Sequence, residues 1–285
     1  MTCPDISISE IEVDKKPFAM GGFDEIYKAM WRKQDVVVKV IEALAHEQKE
    51  NVKQEANITL LLNHPNVVKV FGITCVEQWK MGIVMELAEH GSLDMWIGKI
   101  AHDKLTKIAL GIVDGLEYVH SQHVIHRDIK PKTILLFGPV DDMIPKISDF
   151  GMSKVIRTAK TVHTKAGQLL YMAPEVAMHF PYSFTADIFS LAITLFEMFN
   201  EELLQHASIE VRRFIVGIHL EGIIHFPESC KVPVYLRNVI KCGCNNVPDE
   251  RPKLSEYRSA LRGKYTLFSR ELYLRICGKS CLRIK

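Results

Sequence analysis

From Ala186 to Phe199 the chain is apolar on nearly every side of a helical projection, through Ile188, Phe189, Leu191, Ile193, Leu195, Phe196, Met198 and Phe199. A helix with no polar stripe has no face to offer water, so it must lie in the middle of its domain. The remaining chain has to be large enough to wrap it. At 285 residues, 32.5 kDa and 47% hydrophobic content, there is material for one large domain or two modest ones.

Ahead of this helix the pattern changes partway along the chain. Up to about Glu86 the apolar runs are short and strand-like: Val36, Val37 and Val38 leading into Lys39, then Val67, Val68 and Val70, then Ile83, Val84 and Met85. One helix interrupts them. Across Glu47 to Leu62, with neither Gly nor Pro, Val52, Ala56, Thr59 and Leu60 recur at helical spacing, and Glu55 lies on or beside that face. After Gly91, Asp103 to Gln122 places Leu105, Ile108, Ala109, Ile112, Val113, Leu116 and Val119 on one stripe of an amphipathic helix. The expected architecture is therefore α+β: a small antiparallel sheet with one main helix over residues 1–88, then a larger, mainly helical part over 89–285, joined near Leu87 to His90.

Thirty-six Lys and Arg against 34 Asp and Glu leave a net charge of +2, which gives no electrostatic case for nucleic acid or an anionic membrane surface. Met1 to Glu10 has neither a basic nor an apolar leader region, and no stretch approaches the roughly 20 apolar residues that span a bilayer. Seven cysteines, an odd and scattered set, fit a reducing compartment, and a cytoplasmic protein is the expectation. Cys242, Cys244, Cys277 and Cys281 lack the usual zinc spacing and read as ordinary core residues.

The residues with chemistry come in a fixed order. His126-Arg127-Asp128-Ile129-Lys130-Pro131 follows the amphipathic helix. Asp149-Phe150-Gly151 begins 21 residues after Asp128, behind the strand-like Pro145 to Ser148. Tyr171-Met172-Ala173-Pro174-Glu175 closes a Thr-rich segment, and Arg251 is available to pair with Glu175. Phosphoryl transfer needs such carboxylates: one to accept the proton of the attacking hydroxyl, another to hold the magnesium that bridges nucleotide phosphates. Together these motifs resemble the protein kinase signature set over roughly residues 15 to 265.

The resemblance implies a two-lobed kinase fold that binds ATP and Mg2+ and acts on protein substrates. Within it, Lys39 matches the strand lysine that contacts the α and β phosphates, and Glu55, nine residues before His64-Pro65-Asn66, matches its helix partner. Asp128 matches the catalytic base and Asp149 the metal carboxylate. Glu86, Leu87 and Ala88 resemble the hinge that binds adenine through its backbone, with Met85 as gatekeeper. Ile26, Val37 and Leu135 join the nucleotide contacts. Asp187 is expected to organise the catalytic loop by hydrogen bonding rather than to do chemistry. Lys130 is what serine and threonine kinases carry to steady the γ-phosphate. The runs Gly82–Leu93 and Gly167–Glu175 look most like the tyrosine-kinase-like group, which includes receptor-interacting and mixed-lineage kinases. Arg127 implies an anion from the activation segment, with Ser153, Thr158, Thr161 and Thr164 as phosphate acceptors and Lys154 or Lys165 nearby. Dimer or adaptor partners are a further expectation of such a signalling domain.

Four departures surround the nucleotide. The phosphate loop aligns as Ala19-Met20-Gly21-Gly22-Phe23-Asp24-Glu25-Ile26, so Gly21 alone keeps its place, Gly22 adds a neighbour, and Asp24 brings an anion near anions. Thr133 stands where an asparagine binds a second magnesium and braces the loop. Val37 replaces the alanine that touches adenine, and Gln168 replaces a threonine that links Asp128 and Lys130. The expected function is a serine/threonine protein kinase, since Lys39, Glu55, Asp128 and Asp149 all remain. The alternative is a pseudokinase serving as scaffold or switch. Small-molecule phosphotransfer is disfavoured by the complete Ala173-Pro174-Glu175 segment.

Overall fold

The computed structural model describes residues 3–20, 24–155, 170–200, 224, 226 and 232–264. Strands β1 (Ile11–Val13), β2 (Ala19–Met20), β3 (Asp24–Trp31) and β4 (Gln34–Glu42) come first, then helix α1 (His46–Leu61), then β5 (Val70–Glu77) and β6 (Lys80–Glu86). They form one antiparallel sheet in the order β1-β3-β4-β6-β5, with β2 also on β3. The β3–β4 hairpin turns on Arg32 and Lys33, both at positive φ (51° and 64°), where hairpins usually place Asn or Gly.

Side-chain alternation sorts β4 into two faces. Val36, Val38 and Val40 enter a cluster with Ile6, Ile11, Ala29 and Val84 on one side. Residues 37, 39 and 41 therefore face the other way. There Ile41 packs against a second cluster, in which Val52 and Ala56 of α1 meet Val70, Ile73 and Ile83 of the sheet. Helix α1 forms because its apolar residues recur on one face without a breaker, and the side-chain oxygen of Gln48 caps it, accepting the Ala45 N–H at 2.9 Å.

Two connections anchor this front part. Asn66 donates from Nδ2 to the Pro145 carbonyl (2.8 Å), and the Val68 N–H donates to the Ile147 carbonyl (2.9 Å). Val67 and Val68 thus pair with a later strand instead of opening β5, which begins at Val70. The second connection is a strap. The Ile6 N–H donates to the Ile73 carbonyl (2.8 Å) and the Ile73 N–H to the Pro4 carbonyl (2.9 Å), so residues 4–6 lie along the β5 edge. One step earlier, the Cys3 N–H donates to Oδ1 of Asn57 on α1 (2.6 Å). Gly72 permits this approach, since a Cβ there would lie 2.6 Å from the Pro4 carbonyl.

Beyond Glu86 come α2 (His102–Ser121), β7 (Val124–Ile125), β8 (Ile134–Phe137), β9 (Ile144–Ile147), β10 (Lys154–Val155), α3 (Pro174–Ala177), α4 (Thr185–Asn200), α5 (Val234–Gly243) and α6 (Leu254–Leu261). Every residue of α4 from 186 to 199 is buried, as its all-round apolar pattern requires. It packs with α2, α5 and α6 in the largest core cluster. Each Leu, Ile or Phe so buried contributes about 1.5–3 kcal/mol. The architecture is the α+β one expected, an antiparallel sheet with one main helix followed by a helical body. Cys242 and Cys244 are buried near the end of α5; Cys277 and Cys281 lie outside the described residues.

Candidate active site

The site is assembled from both halves. On the sheet, Ile26 pairs with Lys39 and Val37 pairs with Met85, so antiparallel register puts all four on one face. Lys39 reaches across to Glu55 of α1 (Nζ to Oε1, 2.9 Å) and to Asp149 (Nζ to Oδ1, 2.8 Å). Asp24, heading β3, approaches the same ammonium at 3.4 Å. Asp149 occupies the left-handed region (φ 65°), and the turn after it presses close to α1: a Cβ at Gly151 would sit 2.8 Å from Glu55 Oε2. Glycine leaves the Glu55 carboxylate in place there; a side chain would make it shift. A cavity walled by Glu55, Met85, Asp149 and Phe150 lies behind this junction.

The catalytic loop hangs from one buried acid. Asp187, fully buried at the start of α4, accepts the backbone N–H groups of His126 (Oδ2, 2.8 Å) and Arg127 (Oδ1, 2.7 Å), and its Oδ2 also meets His120 Nε2 at 2.8 Å. It organises the loop by hydrogen bonding. Arg127 is thereby held at φ 69°, another left-handed non-glycine residue. Its guanidinium donates to Tyr182 Oη (2.9 Å) and the Ser153 carbonyl (3.4 Å). His126 meets the Ser148 carbonyl through Nε2 (2.9 Å), tying the loop to the residue before Asp149. Lys130 Nζ grips both Asp128 oxygens at 2.8 Å.

Thr133 stands at the position expected to hold a second metal and to brace the loop. Its hydroxyl does the bracing: Oγ1 donates to the Asp128 carbonyl (2.7 Å), accepts the Lys130 N–H (3.2 Å) and is buried. Arg251 forms the expected pair with Glu175, and it is bidentate at 2.6 and 2.7 Å.

Electrostatics divides these groups by role. Burial opposes charge on Lys39, yet Asp149, Glu55 and Asp24 outweigh it and hold its pKa above the ordinary lysine value. Burial pushes the Glu55 carboxyl up, with Lys39 offsetting part of the rise. For Asp149 the balance goes the other way: burial raises, but Lys39 lowers more strongly, so the net shift is downward and the group stays ionised. Asp128 is raised by burial, partly offset by Lys130. Asp128 and Asp149 are thus shifted in opposite directions, one above and one below the ordinary aspartate value.

The hinge positions gather as well. Met85, Ala88 and Leu135 pack in one small cluster with Val68 and Phe137. The Glu86 side chain pairs with Lys146 (2.6 Å) and accepts the Lys69 N–H (2.8 Å), so it holds the strand junction together. Ala19 lies in β2 opposite Ile26. Gly21, Gly22 and Phe23 of the phosphate loop, with Thr158, Thr161, Thr164, Lys165 and Gln168, lie outside the described residues; Ser153 is buried, its hydroxyl donating to the His126 carbonyl at 3.3 Å.

A family described as protein kinase domain matches residues 14–264. The chain belongs to the protein kinase family. Among known kinases, it is 29% identical over 265 residues to serine/threonine/tyrosine-protein kinase HT1 of Arabidopsis thaliana, covering 89% of this chain and 66% of that one. It is 31% identical over 225 residues to serine/threonine-protein kinase STY17 of the same plant, covering 77% and 38%. It is 30% identical over 271 residues to mitogen-activated protein kinase kinase kinase 10 of Xenopus laevis, covering 89% and 26%. The kinase domain thus spans less than two thirds of the length of these relatives.

Two functional contacts went unseen in the sequence. Tyr182 as the partner of Arg127 carries no signal, because the two residues lie 55 apart in a segment without periodicity. The reach of Asp24 to Lys39 had one: alternation puts residue 24 on the same face as Ile26, which sits opposite Lys39.

Proposed function

We propose that this kinase domain transfers the γ-phosphate of ATP to serine or threonine hydroxyls of other proteins. The observation that carries the reading is the junction at Lys39: one ammonium joins Glu55 of α1 to Asp149 of the metal turn, while Asp128 stands ready under Lys130. The names of its relatives, a serine/threonine kinase, a serine/threonine/tyrosine kinase and a mitogen-activated protein kinase kinase kinase, support serine or threonine hydroxyls as acceptors.

The donor chemistry suits a hard divalent cation. Asp149 is ionised, its side chain is 44% exposed, and its Oδ1 is held by Lys39 so that the carboxylate is already oriented. Asp149 would hold magnesium, which when bound would supply neutralisation of phosphate charge. Asp128 accepts the proton of the substrate hydroxyl as its oxygen bonds to the γ-phosphorus and the bond to the β,γ-bridging oxygen breaks, leaving ADP. Lys130, released from Asp128 as that carboxylate takes up the proton, is placed to follow the transferred group. Lys39 positions the remaining phosphates and Thr133 keeps the loop in shape. The odd, scattered set of seven cysteines favours a cytoplasmic setting, and no helix among the described residues is long and apolar enough to cross a membrane.

Autophosphorylation with radiolabelled ATP tests the reading. Asp149→Ala is expected to abolish incorporation, whereas Thr133→Asn, which restores an amide at the brace, is expected to raise it or leave it unchanged. Equal incorporation by Asp149→Ala and the natural protein would exclude magnesium-dependent catalysis at this site and leave the scaffold reading in its place.

A further inference from the structure

Lys39 Nζ carries three protons and faces three carboxylates, at 2.8 Å (Asp149), 2.9 Å (Glu55) and 3.4 Å (Asp24). Two of these belong to the catalytic junction just described. The third comes from the phosphate loop itself, at the place where the aligned pattern has its last glycine. Register explains the geometry: Asp24 lies two residues from Ile26, which is directly opposite Lys39, so the pair is diagonal on a single sheet face.

The three carboxylates are not equally fixed. Glu55 projects from a packed helix and has an 11% exposed side chain, and Asp149 is set by its strained turn. Asp24 has the longest contact and stands at the first residue of its strand. A lysine that positions nucleotide phosphates has to turn a proton toward an incoming phosphate oxygen. Here the loosest of the three contacts on the ammonium is that of Asp24, which must therefore withdraw to free a proton. Once withdrawn, its charge stays anchored in the wall of the phosphate subsite and repels the polyphosphate.

We propose that Asp24 is an internal competitor of nucleotide phosphate for Lys39, selectively weakening polyphosphate binding and making it depend steeply on magnesium. The inference rests on the nucleotide-binding reading above and adds a selectivity rule to it. The penalty scales with the net phosphate charge presented to Lys39: largest for metal-free ATP, smaller for Mg·ATP, and absent for adenosine, which has the ring system but no phosphate.

Titration calorimetry on the natural protein and Asp24→Asn, with ATP in EDTA, Mg·ATP and adenosine, tests the rule. The amide keeps the shape of the side chain and removes its charge. Asp24→Asn is expected to tighten metal-free ATP roughly tenfold, the scale on which one nearby like charge acts at a partly exposed site, and Mg·ATP by less. Adenosine affinity should stay within about twofold, since no charge-charge contact is lost. Asp24→Gly, which restores the residue of the aligned pattern, should reproduce the result and guards against a fault peculiar to asparagine. The inference is overturned if the natural protein binds Mg·ATP and neither variant binds ATP more tightly, or if adenosine gains as much as ATP does. If no form binds any of the three ligands at millimolar concentration, the nucleotide reading falls and this inference falls with it.

Discussion

Replacing Asp187 with asparagine should injure stability and turnover together, and the structure fixes how. The carboxylate accepts from the N–H groups of His126 and Arg127 and contacts His120 Nε2, at 2.7 to 2.8 Å, with no exposure to water. Asparagine offers one oxygen and one NH2 group. If the oxygen takes the Arg127 N–H, the amide nitrogen faces the His126 N–H, donor against donor. If the amide flips, Arg127 loses its acceptor instead. Either way one backbone N–H is left without its partner, costing about 1–3 kcal/mol. The surviving contacts also lose their charge assistance, roughly half their strength. A total of about 3–5 kcal/mol follows. Because Arg127 holds φ 69° only under this restraint, its release should disorder the loop bearing Asp128, so kcat should fall more than KM for ATP rises. Urea unfolding read by tryptophan fluorescence, beside steady-state kinetics, measures both. The pH dependence adds a check. Burial raises the Asp187 pKa but His120 and His126 lower it further, so the net shift is downward. Its stabilisation is therefore present above the ordinary aspartate value and lost as pH falls through the depressed one. The stability gap between the two proteins should narrow in acid. A loss below about 1 kcal/mol with kcat unchanged would refute the reasoning, since a buried acceptor of two backbone N–H groups cannot be that dispensable.

Arg251→Met strands the Glu175 carboxylate in a pocket where the arginine side chain is fully buried, and should cost about 3–5 kcal/mol by thermal or chemical unfolding; adding Glu175→Gln should recover a good part of that loss. The kcat of the natural enzyme should fail on its acid side at a higher pH than an exposed aspartate would give, because burial raises Asp128 and the base form is lost as pH drops through that raised value. Lys130→Met, which removes the offsetting charge, should move the acid limb further upward in pH–rate profiles taken at saturating ATP.

The long periodic elements were legible: α1, α2 and α4 each run within a residue or two of where the apolar spacing puts them. So was the pairing of Lys39 with Glu55, because the order and separation of the motifs carry more information than any one of them. What stayed hidden follows from tertiary pairing. Val67 and Val68 read as the start of a strand, yet their backbone serves β9 instead. Arg32 and Lys33 make a tight turn with no turn residue, so only their pairing to the sheet reveals it. Thr133 reads as a lost asparagine, and side-chain identity alone does not tell that its oxygen still reaches the same backbone. Asp24 was visible as a misplaced charge, but which lysine it would meet depended on strand register.

Residues 3–6 have no periodicity to announce them, yet they join the β5 edge to the helix that carries Glu55. Whatever is spliced ahead of Cys3 in the laboratory is consequently attached a single peptide away from Asn57, two positions along from the acid that orients Lys39. An affinity handle joined there is therefore expected to load the helix that carries Glu55.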